Sequence, residues 1–423
     1  MKENFINMFD LFYCLTNIGD MINSEITNHH RQVAYLSYRI AESMCLEKNV
    51  QREVLLAGLL HDVGAFSVEE KLEIIDNEDM KGIHKHAFVG AALLENFEPI
   101  SGIARMIRFH HVPWEEGEGR FFRGMEVPLE SHILHLADRI VVQLKPDLDT
   151  IGQMKTVTDH VLEGRGKLFA PEIMDAFLNI SMHEYIWLDL VYEPLLTLMP
   201  QMMNFDTLEL DIDESIALTQ MLSNVIDFKS PFTTTHSSGV AAIAVRLAEL
   251  AGFSENECKK MLIAGYLHDL GKLAVSNDIL EKTGPLDKNE FNAIRSHTFY
   301  TYRTLQVIDK KGDMNAWAAY HHERLDGRGY PFHLKAEDIP LGSRIMAVAD
   351  VSTAITEDRP YRKGMDNEKA KKVIRDMVKN GGLCGYVSGL LLGNFEELNA
   401  AREAAQSEAE RKYNIIREID KNS

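Results

Sequence analysis

The sequence predicts an all-α chain built from two tandem helical bundles. Three observations carry that expectation: apolar residues recur at helical spacing along most of the chain, alternating strand patterns are scarce, and one ordered series of histidines and aspartates occurs twice. In HSSGVAAIAVRLAELAG (236–252), Val240, Ile243, Val245, Leu247 and Leu250 mark one helix face, and Gly252 is the expected C-cap. VAYLSYRIAE, AALLENF and KKMLIAGYLHDLGK keep the same period. The last segment, FEELNAAREAAQSEAERKYNIIREID, joins strong helix formers to charges of both signs. Its weak stripe of Leu398, Ala405, Ala409, Ile416 and Ile419 suits a terminal helix packed on its own domain, with a homodimer contact as the alternative.

At 423 residues the chain exceeds one comfortable core, so two domains are expected. We divide it at residues 1–200 and 201–423, the join lying in LTLMPQMMNFDTLELD (196–211). An apolar content of 45% with 26% charged residues is ordinary globular composition. No apolar run is long enough to span a membrane, and the acids in MKENFINMFDLFYCLTNIGD do not fit a secretory signal. Four cysteines, Cys14, Cys45, Cys258 and Cys384, lie far apart without CxxC spacing, so reduced thiols and a cytoplasmic location are expected. A net charge of -19 argues against binding a nucleic-acid polymer, which requires clustered Lys and Arg. It leaves room for a small anionic ligand where local cations outweigh the overall field.

The histidine series carries the chemistry. His29 and His236 each precede a HisAsp pair by 32 residues, His61-Asp62 and His268-Asp269. His86 and His297 follow, and 24 residues after each comes a double histidine, His110-His111 and His321-His322. Asp138 and Asp350 close the two series. A lone histidine on an apolar helix is ordinary core, but ten of the chain's 17 histidines fall into these two matched sets. Aspartates beside imidazoles have no use in a plain core, where an unpaired charge is costly. Mixed N and O donors without cysteine suit Fe, Mn or another octahedral-tending divalent metal. Two such ions, sharing the aspartate of HisAsp, can clamp a phosphate and activate water for in-line attack.

The order His, HisAsp, Asp resembles that of the HD superfamily of metal-dependent phosphohydrolases. The second half further resembles its HD-GYP branch, through HDLGK (268–272), ILEKTGPLDKNEF (279–291), HHERLDGRGYP (321–331) and DRPYR (358–362). These stretches lie within residues 227–390, and their combination is highly specific. The resemblance implies a helical domain with a metal centre that linearises a cyclic dinucleotide, cyclic di-GMP or 3',3'-cyclic GMP-AMP. It implies metal ligands at His236, His268, Asp269, His297, His321, His322 and Asp350, with Asp269 and Lys272 catalytic. Lys272, otherwise a solvated helix end, would be the phosphate-binding cation. Glu323 would orient a ligand or pair with an arginine. Asp326 to Pro331 reads as a tight loop whose glycines permit unusual backbone angles. In the family this loop is linked to partners of the diguanylate cyclase type. Arg359, Tyr361 and Arg362 would contact substrate or hold that loop.

This half departs from the family at three positions. Phe232 stands where some members have a glutamate that helps hold a third metal, so two ions are expected. Thr301 replaces a usual glycine, and its extra bulk would change the channel without touching the metals. Arg328 replaces a small residue and would contact substrate or alter partner choice. The first half keeps a second candidate metal set, His29, His61, Asp62, His86, His110, His111 and Asp138. Glu25, four residues before His29, is either a further ligand or a solvent-facing residue. Ala65 takes the lysine position, and neither a Gly-Tyr-Pro loop nor an Arg-Pro-Tyr-Arg segment follows. We therefore expect a degenerate, regulatory first domain and a catalytic second one. The rival readings are another HD-type nucleotide phosphohydrolase and a non-hydrolytic di-metal sensor; Lys272, which only hydrolysis needs, separates the sensor from the enzyme.

Overall fold

The computed structural model describes residues 6–20, 28–65, 84–145, 148–192, 209–228, 234–309, 312–358 and 363–422. They are helical nearly throughout, as expected. The strands among them are two-residue antiparallel pairs, Ile6–Asn7 with Glu209–Leu210 and Phe121–Phe122 with Met125–Glu126. The chain forms two compact units, one of Met1–Ile22 with Glu209–Ile415 and one of Asn23–Leu208 with Ile416–Ser423. The helix Met8–Asp20 thus belongs to the unit that the chain builds last. It buries Leu11, Phe12, Leu15 and Ile18, and packs on the Leu270–Ala274 turn and the helix Lys288–Ile308. A division at 200/201 has no place for this exchange, because an amphipathic helix does not encode which bundle it joins.

Both units use one device to bring the first histidine to the HisAsp pair. The helices His236–Leu250 and Glu255–Leu267 cross so closely that a Cβ on Gly265 would lie 2.6 Å from Ala241 Cα. In the other unit His29–Ser43 crosses Lys48–Leu60, and a Cβ on Gly58 would lie 2.5 Å from Ala34 Cα. Any side chain at either glycine would force the two helix backbones apart. His236 and His29 open one helix of each pair, and His268 and His61 directly follow the other.

The helix boundaries have local causes. Capping boxes at Ser254/Glu257 and Asp287/Glu290 start the helices that lead to His268 and His297, each worth about 1 kcal/mol. Gly252, at φ 86°, ends the His236 helix, with Phe253 N–H donating to Ala248 O. The stripe predicted for that helix needs correction. Val240, Ile243 and Leu247 are buried, but Leu250 is exposed and Val245 only half-buried. Ala241, Ala244 and Ala248 complete the inner face, since so close a crossing favours small residues. In the helix Phe395–Asn422, Leu398 and Ala409 are buried as the stripe requires. Arg402 and Gln406 fill the buried positions between them, while Ala405 is half-buried.

Among the described residues no helix is long and apolar enough to cross a membrane. Cys45, Cys258 and Cys384 are free thiols, the last two buried.

Candidate metal centres

In the C-terminal unit the predicted ligands converge. His297 lies within the helix Lys288–Ile308, His321-His322 follow Asp313–Ala319 after one residue, and Asp350 lies within Leu341–Thr356. All are buried except His322, which is half-buried. The Nδ1 atoms of His268, His297 and His321 contact the carbonyls of Gly265, Ile294 and Ala318 at 2.6–2.7 Å. A carbonyl only accepts, so each Nδ1 carries the proton and each Nε2 presents a lone pair. The Nε2 atoms of His297 and His321 stand 3.2 Å apart, and His268 Nε2 is buried without a hydrogen-bond partner. Facing lone pairs repel unless a cation lies between them. Nitrogens about 2.1 Å from one ion and at right angles to each other are separated by about 3.0 Å, so the spacing fits cis ligands.

Asp269 faces both halves of this cluster. Its Oδ2 lies 3.2 Å from His268 Nε2 and 3.9 Å from His236 Nε2; its Oδ1 lies 3.4 Å from His297 Nε2 and 4.0 Å from His321 Nε2. His236 Nε2 meets Asp350 Oδ1 at 3.1 Å, and His322 Nδ1 lies 3.9 Å from Asp350 Oδ2. Burial would raise the Asp269 carboxyl, but His268 and Lys272 hold it well below the usual range. Burial pushes His297 down to about 3 and lowers His321, keeping both imidazoles neutral as ligation requires.

The N-terminal unit repeats the cage. Asp62 Oδ2 lies 3.2 Å from His61 Nε2 and 3.8 Å from His29 Nε2, while Oδ1 lies 3.2 Å from His86 Nε2 and 3.8 Å from His110 Nε2. His111 Nε2 is 3.1 Å from His86 Nε2, and Asp138 Oδ1 is 3.2 Å from His29 Nε2. His61 and His110 again bond the carbonyls three residues back, Gly58 and Ile107. The loop glycine after each HisAsp pair has the same cause. A Cβ on Gly271 would lie 1.9 Å from His297 O, and one on Gly64 would lie 2.2 Å from His86 O. Only glycine lets the HisAsp turn touch the backbone that carries the next histidine.

The surroundings differ. Lys272 Nζ lies 2.6 Å from Asp269 Oδ2, so the predicted phosphate cation already rests on the shared carboxylate. At the matching place the N-terminal unit has Ala65, and its cation is Arg139, whose Nη2 lies 2.6 Å from Asp138 Oδ2. Glu323, expected to orient a ligand or pair with an arginine, instead accepts the N–H groups of Phe332 and Leu334 at 2.7 and 3.0 Å, tying down the Gly-Tyr-Pro loop. Thr301 is fully buried, and its hydroxyl accepts from Gly271 N–H and donates to His268 O. Of the loop glycines, Gly327 has φ 73°, whereas Gly329 is needed for space, a Cβ there lying 2.4 Å from Arg324 N. The Arg328 side chain is exposed. Glu25, Phe232, Arg359, Tyr361 and Arg362 lie outside the described residues.

Sequence reasoning missed two features of this site. The Tyr330 ring lies 4.9 Å from the His322 ring at a tilt of 42°, and the Arg295 guanidinium covers the Tyr330 ring at 4.9 Å. Arg295 stands two residues before His297 on one helix, a signal visible only once His297 is known as a ligand. Glu357 accepts from His236 Nδ1 at 3.1 Å; nothing local in the sequence marks it.

A helical bundle that gathers His, HisAsp, His, HisHis and Asp around one shared carboxylate defines the class of HD-domain, metal-dependent phosphohydrolases. The comparisons agree: two HD-domain family models match, one over residues 26–142 and another over 220–382. The chain is 30% identical over 401 residues to the 3'3'-cGAMP-specific phosphodiesterase 1 of Vibrio cholerae, covering 93% of each chain. It is 41% identical over 155 residues to a cyclic di-GMP phosphodiesterase of Pseudomonas aeruginosa, covering 36% of each. The fold matches the crystal structure of a cyclic GMP-AMP phosphodiesterase of V. cholerae with a TM-score of 0.60 and 21% identity, over 95% of this chain and 98% of that one. The chain belongs to the HD-GYP family of HD-domain phosphodiesterases and is a hydrolase.

Proposed function

We propose that the chain hydrolyses a cyclic dinucleotide to its linear form at the C-terminal centre, with 3',3'-cyclic GMP-AMP preferred over cyclic di-GMP. One observation carries the reading: Asp269 turns its two oxygens toward separate histidine sets while Lys272 rests on one of them. His236, His268, Asp269 and Asp350 would hold one divalent ion. Asp269, His297, His321 and His322 would hold a second, Fe, Mn or similar. When bound, such ions supply Lewis acidity toward phosphate and lower the pKa of water.

The chain's own groups do the rest. Lys272 offsets the charge that grows on the phosphoryl oxygens as the water oxygen bonds to phosphorus. The P–O bond to the 3' oxygen breaks in line, and the proton that the attacking water gives up ends on that oxygen, which leaves as a hydroxyl. The Arg295–Tyr330 stack beside His322 offers a flat, cationic face suited to a purine or a phosphate. Arg328, Arg359 and Arg362 stay candidates for the second nucleotide. The preference for the mixed dinucleotide rests on the relative that matches over nearly its whole length. The N-terminal unit, with a matching cage but Ala65 in place of lysine, would bind metal without efficient hydrolysis and serve as a regulatory domain.

The test is to purify the protein without a chelating tag, measure its metal content, and incubate it with each cyclic dinucleotide and Mn²⁺ or Fe²⁺. Faster loss of 3',3'-cyclic GMP-AMP, with a linear product, is expected. Metal uptake with no hydrolysis of any cyclic dinucleotide would overturn the reading in favour of a sensor.

A further inference from the structure

The ligand histidines His268, His297 and His321 share one solution for their second nitrogen, the carbonyl three residues back in a helical turn. His236 has no such option, because it is the first residue of its helix. Its Nδ1 instead donates to the Glu357 carboxylate, at 3.1 and 3.2 Å to the two oxygens. Glu357 is buried, directly after the helix that carries Asp350. It accepts in turn from Gln406 Nε2 at 3.2 Å, and the Gln406 side-chain oxygen accepts from Arg402. Both lie on the buried face of the C-terminal helix. Gly239 leaves room for that contact, since a Cβ there would lie 3.0 Å from the Gln406 amide.

We infer that Glu357, braced by Gln406 and Arg402, is a positioning residue for the metal centre: it fixes the His236 ring with Nε2 toward the ion and strengthens that nitrogen as a donor. A carboxylate in this outer position polarises the imidazole more than a peptide carbonyl does, and removing such a partner typically weakens metal binding 10- to 100-fold. Among the described residues this arrangement is seen in the C-terminal unit. Glu357 stands seven residues after Asp350, and seven residues after Asp138 the chain has Lys145, an exposed cation. The C-terminal helix therefore supports the active centre through Gln406 and Arg402, one contact removed from the ligand cage.

The inference rests on His236 being a metal ligand, and the experiment separates the two. Full-length apo-protein is titrated with Mn²⁺ and followed by electron paramagnetic resonance, for wild type, His236→Ala, Glu357→Ala, Glu357→Gln and Gln406→Leu. The N-terminal cage is the same in all of them and cancels in the comparison. Glu357→Ala is expected to weaken one Mn²⁺ per chain by about 10- to 100-fold, turning an exchange-coupled signal into a mononuclear one at a fixed Mn²⁺ concentration. Glu357→Gln, which still accepts from Nδ1–H, is expected to recover part of that loss, a rescue that a merely structural role would not produce. Gln406→Leu should show a smaller loss at the same site, and it decides the matter with Glu357→Gln if Glu357→Ala does not fold. If His236→Ala loses one Mn²⁺ while the Glu357 and Gln406 variants bind as wild type does, the inference is overturned and the metal centre stands. If His236→Ala binds as wild type does, the ligand assignment itself fails.

Discussion

The two units hold the same cage in different surroundings. Both split one buried aspartate between two histidine sets, and both fix imidazole tautomers with carbonyls three residues back. Around the C-terminal cage stand Lys272 on the shared aspartate, Glu357 behind the first histidine, and a loop tied down by Glu323. In the N-terminal unit Ala65 takes the lysine position and exposed Lys145 the sequence position of Glu357, and the Arg139 guanidinium binds the closing aspartate. The His/Asp cage and the lysine beside it are thus separable features of this fold: a bundle can keep the first without the second.

The largest effect that tests this contrast comes from the shared aspartates. Asp269→Ala should lower hydrolysis by about 10³-fold or more, since it removes the ligand common to both ions. Asp62→Ala should leave the rate within about 3-fold while removing metal from the N-terminal unit, as read by elemental analysis. Equal losses in the two variants would end the division of labour. Lys272→Ala should come next, cutting kcat by roughly 10²-fold with metal content unchanged. A full rate in that variant would remove Lys272 from the chemistry and leave it to the cage alone.

A smaller effect is expected at the mouth of the site. Arg295→Ala should raise KM by about 3- to 10-fold with kcat little changed, the size of a partly desolvated cation–π contact. An unchanged KM would make the Arg295–Tyr330 stack purely structural.

The smallest effect is on stability. Burial holds His132 down to about 4 and His84 to about 4, and the corresponding places in the other unit are Arg344 and Arg295. Because the folded values lie below the unfolded value near 6.5, these groups favour the fold fully above pH 6.5. That contribution is lost as pH falls from 6.5 toward 4. The N-terminal unit of the apo-protein should therefore melt first on acidification. His132→Phe should flatten the pH dependence of its Tm over that range, and an unchanged slope would remove His132 from the account.

Much of this was legible beforehand because helices write their pattern locally. The all-α class, the Gly252 cap and the order of ligands follow from spacings within one or two helical turns, or from a doubled series that two copies make visible. The short stretches around His268, His321 and Arg359 identified the branch, since loop chemistry is written in consecutive residues. What the sequence left open depends on contacts between distant segments. Glu357 reaches His236 across 121 positions and Gln406 reaches Glu357 across 49, and neither has a local signature. Arg402 and Gln406 look like solvated residues of a charged helix until packing turns them inward. Thr301 looks like an obstruction until its hydroxyl meets the HisAsp turn, and Met8–Asp20 carries no mark of the bundle that buries it. Local periodicity determines which face of a helix is apolar and where the helix ends; only the packed structure decides what that face meets, because burial and hydrogen-bond pairing are set by neighbours in space.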